Sequence, residues 1–130
     1  MAEIKKKVLI VEDERPLREI LKDKFKASGF LTFGAKDGKE GLSIALKEHP
    51  DIILLDIIMP KMDGYQVLGE LKKSQKKWIP FIMLSAVTDF KKINQVYDGE
   101  ADFYLPKPVN PIILSRNIKT LLNLAQYRIR

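Results

Sequence analysis

Acidic, hydroxyl and basic side chains follow four of the short apolar runs in this sequence. Glu12 and Asp13 follow the first of these runs, Asp56 the second, Ser85 the third and Lys107 the fourth. Three carboxylates brought together repel one another, so either one of them holds its proton or another charge compensates. A hard divalent cation such as Mg²⁺ is the natural partner for such a set of oxygen ligands. Lys107 could hold a phosphoryl oxygen, and Ser85 could donate a hydrogen bond to it. The five residues suit a metal-bound phosphoryl group, with Asp56 as the candidate nucleophile, because carboxylates can form aspartyl-phosphates.

The apolar runs that precede these residues predict buried strands. They are continuous and short, with no alternation of apolar and polar residues, which is typical of strands covered on both faces in a parallel sheet. The runs cover residues 8–11, 52–55, 81–84 and 103–105, with a weaker candidate at 30–33.

Segments with apolar residues at helical spacing lie between and after the runs. They fall within 17–25, 42–46, 67–71, 93–97 and 114–125. Strand and helix therefore alternate five times along the chain, which predicts a parallel sheet with helices on both faces. Because ligands of such sheets bind outside the carboxyl ends of the strands, the polar residues that follow the strands should share one edge.

The length and composition exclude several classes of protein. A chain of 130 residues fits a single domain, and the absence of cysteine rules out disulfides and Cys-ligated metals. The net charge of +6 permits an anionic partner without identifying one. No apolar run reaches the roughly 18 residues of a membrane span, and the charged N-terminus lacks the features of a signal peptide. We therefore expect a soluble, cytoplasmic protein.

Two of the candidate residues also have a purely structural interpretation. Asp13 could cap a helix that begins near Pro16, and Asp56 taken alone is compatible with a turn. The five polar residues together favour a site. His49 is predicted at the opposite edge of the sheet, as a surface residue. Four lysines within 72–77, beside Trp78, are interpreted as a solvated helix face, because no nucleic-acid recognition motif follows them.

Five segments of the sequence resemble the receiver domain of two-component response regulators, in particular the chemotaxis-type single-domain members. The segments are residues 8–13, 54–60, 62–64, 84–86 and 101–108, and the resemblance extends over essentially the whole chain. It implies an α/β, flavodoxin-like (βα)5 fold with a doubly wound five-stranded parallel sheet in the order 2-1-3-4-5. It also implies one receiver domain over 1–130, with 124–130 as a possible helical extension or linker.

The same resemblance implies a Mg²⁺ site. Its ligands would be Glu12, Asp13, Asp56 and the backbone carbonyl of Ile58, with Asp56 also serving as the phosphoacceptor. The family more often has Asp at the position of Glu12, and the extra methylene still permits coordination.

The remaining implied roles concern the phosphorylated state. Lys107 would contact the phosphoryl group, and Ser85 would hydrogen-bond to it and move toward it. Tyr104 would turn inward as Ser85 moves, and so change the surface of the fourth helix, fifth strand and fifth helix. Ser85 stands where the family more often has Thr.

The resemblance further implies partners and a regulatory role. The phosphoryl donor would be a phosphohistidine on a sensor histidine kinase or phosphotransfer protein, and the output would pass to a protein target or output domain. We expect no direct binding to nucleic acid or membrane, no turnover of a free substrate, and either a monomer or a phosphorylation-dependent dimer.

Three other functions are weighed against this one. An aspartyl-nucleophile phosphohydrolase typically carries a second Asp two residues after the nucleophile, where this chain has Ile58. A flavin-binding protein of the same topology needs a phosphate loop after the first strand, where Glu12, Asp13 and Glu14 would repel the phosphate. A phosphorylation-independent interaction module would not need the complete set of polar residues.

Overall fold

The structure is a computed structural model, and it describes part of the chain. The described residues are 5–56, 69, 70, 73, 79–85, 103–106 and 110–125. Within the predicted site, Ile58 and Lys107 lie outside these ranges, as does the predicted helix at 93–97.

Five parallel strands form one sheet, as predicted. They are β1 (Lys7–Val11), β2 (Leu31–Ala35), β3 (Ile52–Asp56), β4 (Phe81–Ser85) and β5 (Phe103–Pro106). Their order in the sheet is β2-β1-β3-β4-β5, which is the order that the resemblance implies. The chain therefore reverses its direction of winding between β1 and β3, where ligand sites of open α/β sheets form.

Helices cover both faces of the sheet. They are α1 (Arg15–Ala27), α2 (Gly38–Glu48) and the C-terminal helix (Pro111–Ala125). Gly69, Glu70 and Lys73 are also helical, in the region of the third predicted helix. The possible extension at 124–130 is described only as far as Ala125. No helix in the described ranges combines the length and apolar character needed to cross a membrane.

Alternate residues of the inner strands enter two separate hydrophobic layers. Leu9 and Val11 of β1 pack with α2 in one layer, whereas Val8 and Ile10 pack with α1 and the C-terminal helix in the other. All five residues of β3 are buried. This explains why the runs in the sequence are continuously apolar, because a side chain on either face of the sheet reaches a core.

Side-chain caps define the starts of two helices. Asp37 Oδ1 accepts the Glu40 amide at 2.8 Å at the start of α2. Asn110 Oδ1 accepts the Ile112 amide at 2.9 Å at the start of the C-terminal helix. Each bond satisfies an amide that has no partner within the helix.

Gly41 allows α2 to approach β1 closely. A Cβ at this position would lie 2.8 Å from Val11 Cγ2, whereas a Cβ on helical Gly69 would meet no atom within 4 Å. Val11 is fully buried and its side chain is stiff, so it cannot yield easily.

Opposite effects on stability are expected for alanine at these two helical glycines. Gly69→Ala should raise the free energy of unfolding by up to about 1 kcal/mol through helix propensity. Gly41→Ala should lower it by roughly 1–3 kcal/mol, because overpacking outweighs the same gain in propensity. Urea denaturation of both variants beside the wild type measures the difference. Equal stabilisation by both substitutions would show that the α2–β1 contact is not tight.

His49 ends α2 in a left-handed conformation, with φ 51° and ψ 64°. Its amide donates to the Ala45 carbonyl at 3.0 Å, and its side chain is exposed. It lies between α2 and the start of β3, at the sheet edge opposite Asp56. This agrees with its predicted position as a surface residue.

Replacing His49 with glycine should stabilise the fold. The left-handed conformation costs a residue with a Cβ about 1–2 kcal/mol, part of which is offset by the greater freedom of glycine in the unfolded chain. We expect a net gain of about 0.5–1 kcal/mol for His49→Gly in urea denaturation. His49→Ala is the matched control, since it removes the imidazole but keeps the Cβ. A comparable gain in both variants would contradict the backbone explanation.

Candidate functional site

The pairing of β1 with β3 brings acidic residues to one edge of the sheet. Val11 is the partner of Leu55 in the register of the two strands, so Glu12 and Asp56 come next at neighbouring positions. Carboxylate oxygens of Glu12, Asp13 and Asp56, one from each residue, lie within 4.8 Å of one another. We call these three residues the acidic cluster.

Two members of the acidic cluster are buried. Glu12 is 0% exposed and Asp56 is 4% exposed, whereas Asp13 is exposed. Burial weakens the screening of their mutual repulsion by water. The cluster therefore combines a strong local negative charge with one member on the solvent side, where an ion or substrate can approach.

The backbone and side chain of Glu12 are both held by neighbouring groups. The Glu12 amide donates to the Ala35 carbonyl at the end of β2 at 2.9 Å. Glu12 Oε2 accepts the Glu14 amide at 3.3 Å, and the Glu12 carbonyl accepts a hydrogen bond from Arg18 Nη1 at 2.7 Å. The end of β2 and the N-terminal part of α1 thus orient the first residue of the acidic cluster.

Asp13 is not the cap of α1, contrary to the structural interpretation considered for it. Glu14 occupies the N-cap position without a side-chain cap bond, and a proline stands in the first turn of the helix. Proline is accepted in the first turn because an amide hydrogen at that position would find no acceptor within the helix. The loop between β1 and α1 therefore leaves the Asp13 carboxylate available to the acidic cluster.

The donor set of the acidic cluster fits a hard divalent cation. Its ligand atoms are all carboxylate oxygens, with no sulfur or imidazole nitrogen, and this composition favours hard cations such as Mg²⁺, Ca²⁺ and Mn²⁺ over softer metals. A cation at this position would offset the repulsion between the buried carboxylates. The prediction that Glu12, Asp13 and Asp56 come together is confirmed.

Strand pairing gives the positions of two further predicted residues, Ser85 and Tyr104. Ser85 is the last residue of β4 and pairs with Pro106 of β5, and the preceding residue, Leu84, pairs with Asp56. Ser85 thus comes next after the position opposite Asp56, at the same sheet edge. Tyr104 lies in β5 as the partner of Met83. The positions of Ile58 and Lys107 are outside the described residues.

Sequence reasoning missed Arg18. Its guanidinium reaches the carbonyl of Glu12 from the first turns of α1, six residues along the chain. The spacing of the two residues gave no signal for this contact, because the path of the chain from β1 into α1 brings the two groups together. Of the four lysines within 72–77, only Lys73 lies in the part of the chain that the structure describes, and it is exposed.

Comparisons with known proteins agree with this fold. The model of the family described as "Response regulator receiver domain" matches residues 8–119. The solved chemotaxis protein CheY4 of Vibrio cholerae is 30% identical, with a TM-score of 0.84, covering 91% of this chain and 99% of that one. A CheY-like receiver domain protein from Methanospirillum hungatei is 27% identical, with a TM-score of 0.90, covering 95% and 98%.

Curated relatives are longer than this chain. A probable transcriptional regulator, ycf27, of Cyanophora paradoxa is 42% identical over 118 residues, covering 91% of this chain and 48% of the relative. The alkaline phosphatase synthesis transcriptional regulatory protein PhoP of Bacillus subtilis is 37% identical, covering 90% and 48%. The chain thus spans about half the length of these relatives. On the family match, the strand order and the acidic edge, this chain belongs to the receiver domains of two-component response regulators.

Proposed function

We propose that Asp56 accepts a phosphoryl group from a phosphohistidine in a Mg²⁺-dependent reaction. The observation that carries the proposal is the acidic cluster, with Asp56 buried at the end of the central strand β3 beside Glu12 and Asp13. The donor would be a sensor histidine kinase or a phosphotransfer protein. The role is regulatory, and a cytoplasmic location is part of the same proposal.

The transfer exchanges one bond to phosphorus for another. A carboxylate oxygen of Asp56 forms the new P–O bond while the P–N bond to the donor imidazole breaks. The electron pair of that bond returns to the imidazole nitrogen, which takes up a proton. Asp56 suits the attacking role because its strand is buried on both sides, so the nucleophile is held in place by the core.

The acidic cluster by itself would repel the incoming phosphoryl group. Glu12 and Asp13 add negative charge within 4.8 Å of Asp56, where burial weakens screening. When bound, Mg²⁺ neutralises this charge and the charge on the transferring oxygens. Glu12, Asp13, Asp56 and the carbonyl of Ile58 would hold it, the last assigned by the family motif alone.

We propose that the response to phosphorylation takes place at β4 and β5, on the other side of β3 from β1. The phosphorylated side chain carries a charge of about −1.5 to −2 and new acceptor oxygens. Ser85 and Lys107 would be drawn toward these oxygens, and Tyr104 would fill the space that Ser85 leaves. Ser85 directly follows Leu84, the residue paired with Asp56, and this position at the same sheet edge supports the first step. The surface of the fourth helix, fifth strand and fifth helix would then change its affinity for a protein partner.

The curated relatives are longer than this chain, and their additional length bears on which partner would receive the signal of the phosphorylated receiver. They are named as transcriptional regulators, and this chain covers 48% of the first of them. We propose that the receiver itself makes no direct contact with nucleic acid. Its phosphorylated surface would instead act on another protein or on an output domain, including one that binds DNA.

Phosphorylation at Asp56 is testable by intact-mass spectrometry. Incubation with acetyl phosphate and Mg²⁺ should add the mass of one phosphoryl group to the wild type and none to Asp56→Asn, which lacks the nucleophilic carboxylate. Asp51→Asn is the matched control, because Asp51 precedes β3 at the opposite edge and its contact with the Lys7 amide can be kept by an amide oxygen. An equal gain in the Asp56 variant would place the modification elsewhere.

Mg²⁺ should stabilise the wild type much more than a variant that lacks the Asp13 carboxylate. At a Mg²⁺ concentration ten times its Kd, the wild type should gain about 1.4 kcal/mol, or roughly 5 °C in Tm. Asp13→Asn should lose most of this gain, while its Tm in chelator should equal or exceed that of the wild type because one repelling charge is gone.

Asp23→Asn is the control for this measurement. It removes one exposed carboxylate further along α1, outside the acidic cluster, and should keep the full response to Mg²⁺. A Mg²⁺ response that survives unchanged in Asp13→Asn would contradict the assignment of Asp13 as a ligand.

A further inference from the structure

Arg18 ties helix α1 to the backbone at the start of the acidic cluster. Its Nη1 donates a hydrogen bond of 2.7 Å to the carbonyl of Glu12, the residue that follows β1. The bond is short and charge-assisted, so it is stronger than a hydrogen bond between neutral groups. The Arg18 side chain is also half-buried, which limits competition from water.

The bond restrains the peptide unit that joins Glu12 to Asp13. The Glu12 carbonyl belongs to this unit, and its neighbouring unit is fixed by the bond from the Glu12 amide to the Ala35 carbonyl. Rotation of the peptide plane would therefore break the contact with Arg18 and shift the direction in which the Asp13 side chain leaves the backbone. The two residues whose placement depends on this plane are both members of the acidic cluster.

The stem of Arg18 crosses β2 at a residue without a side chain. A Cβ on Gly34 would lie 3.3 Å from Arg18 Cγ and Cδ, and 2.8 Å from Lys22 Cδ. Arg18 and Lys22 thus share the same support, and both are half-buried cations on α1. They differ in their polar contacts, because Lys22 lies 4.0 Å from the Glu19 carboxylate whereas Arg18 reaches Glu12.

We propose that Arg18 is a positioning residue for the metal site. By holding the Glu12 carbonyl, it keeps the Glu12 and Asp13 carboxylates in the arrangement that binds Mg²⁺ together with Asp56. The inference rests on the proposed function, and it adds a residue that touches neither the metal nor the phosphoryl group. Metal affinity depends on such supporting contacts because ligands that are already oriented lose less freedom on binding.

The charge of Arg18 and its positioning role have opposite effects on metal affinity. A cation near a cation site repels the metal, so removing its charge should by itself strengthen Mg²⁺ binding. Loss of the hydrogen bond should weaken binding, because the peptide plane between the two acidic residues is released. The direction of the change therefore separates the two effects.

The test compares Mg²⁺ affinity in Arg18→Met and Lys22→Met by isothermal titration calorimetry. Both substitutions remove one positive charge and retain an apolar stem over Gly34. We expect Mg²⁺ to bind about tenfold more weakly to Arg18→Met, at the lower end of the effects of supporting contacts on metal affinity. Lys22→Met should bind as tightly as the wild type or slightly more tightly. Thermal unfolding in chelator establishes that each variant is folded at the assay temperature.

Arg18→Lys supplies a second comparison with the charge retained. Its side chain is shorter by one bond and lacks the guanidinium fork, so it cannot hold the carbonyl at the same place. We expect an affinity between those of the wild type and Arg18→Met. This variant also keeps the test decisive if the Met substitution does not fold.

The outcomes distinguish this inference from the proposed function. Wild-type or tighter binding in both Arg18 variants, with binding lost in Asp13→Asn, would overturn the positioning role and leave the metal site in place. Equal weakening in Lys22→Met would likewise overturn it, because that variant keeps the bond to Glu12. Absence of Mg²⁺ binding by the wild-type protein would overturn the proposed function and this inference together.

Discussion

The parallel pairing of β1 with β3 is the constraint on which both the core and the site depend. These strands lie side by side in the middle of the sheet, and their residues Val8–Val11 and Ile52–Leu55 are fully buried. Burial on both faces fixes the register, because a slip of one residue would move every side chain into the opposite layer. The same register leaves Glu12 and Asp56 next to each other where the strands end.

The core thus supports an arrangement that is unfavourable by itself. Carboxylates held within 4.8 Å of one another, two of them buried, oppose folding through repulsion and loss of hydration. The apolar strands that precede them supply the compensating burial, and hydrogen bonds from Glu14 and Arg18 hold Glu12 in place. In β1 and β3 the apolar residues supply the stability, and the acidic cluster lies where these two strands end.

Contacts beyond the strands determine how accurately the acidic cluster is held. Gly41 lets α2 pack directly on Val11, the residue before Glu12. Gly34 leaves space on β2 for the stem of Arg18, which reaches the Glu12 carbonyl from α1. Helices on both faces of the sheet therefore reach the segment that bears the first two acidic residues.

The sequence alone determined the architecture and the chemical character of this protein. Continuous apolar runs alternating with helical segments predicted the parallel sheet, and polar residues following those runs predicted the shared edge at which Glu12, Asp13 and Asp56 meet. These inferences succeed because they depend on local patterns and on the common direction of parallel strands. Only the tertiary structure revealed that Glu14, and not Asp13, occupies the cap of α1, and that Arg18 bonds to Glu12. Those details depend on the path of one loop and on the packing of α1 over β2, and neither follows from the spacing of residue types.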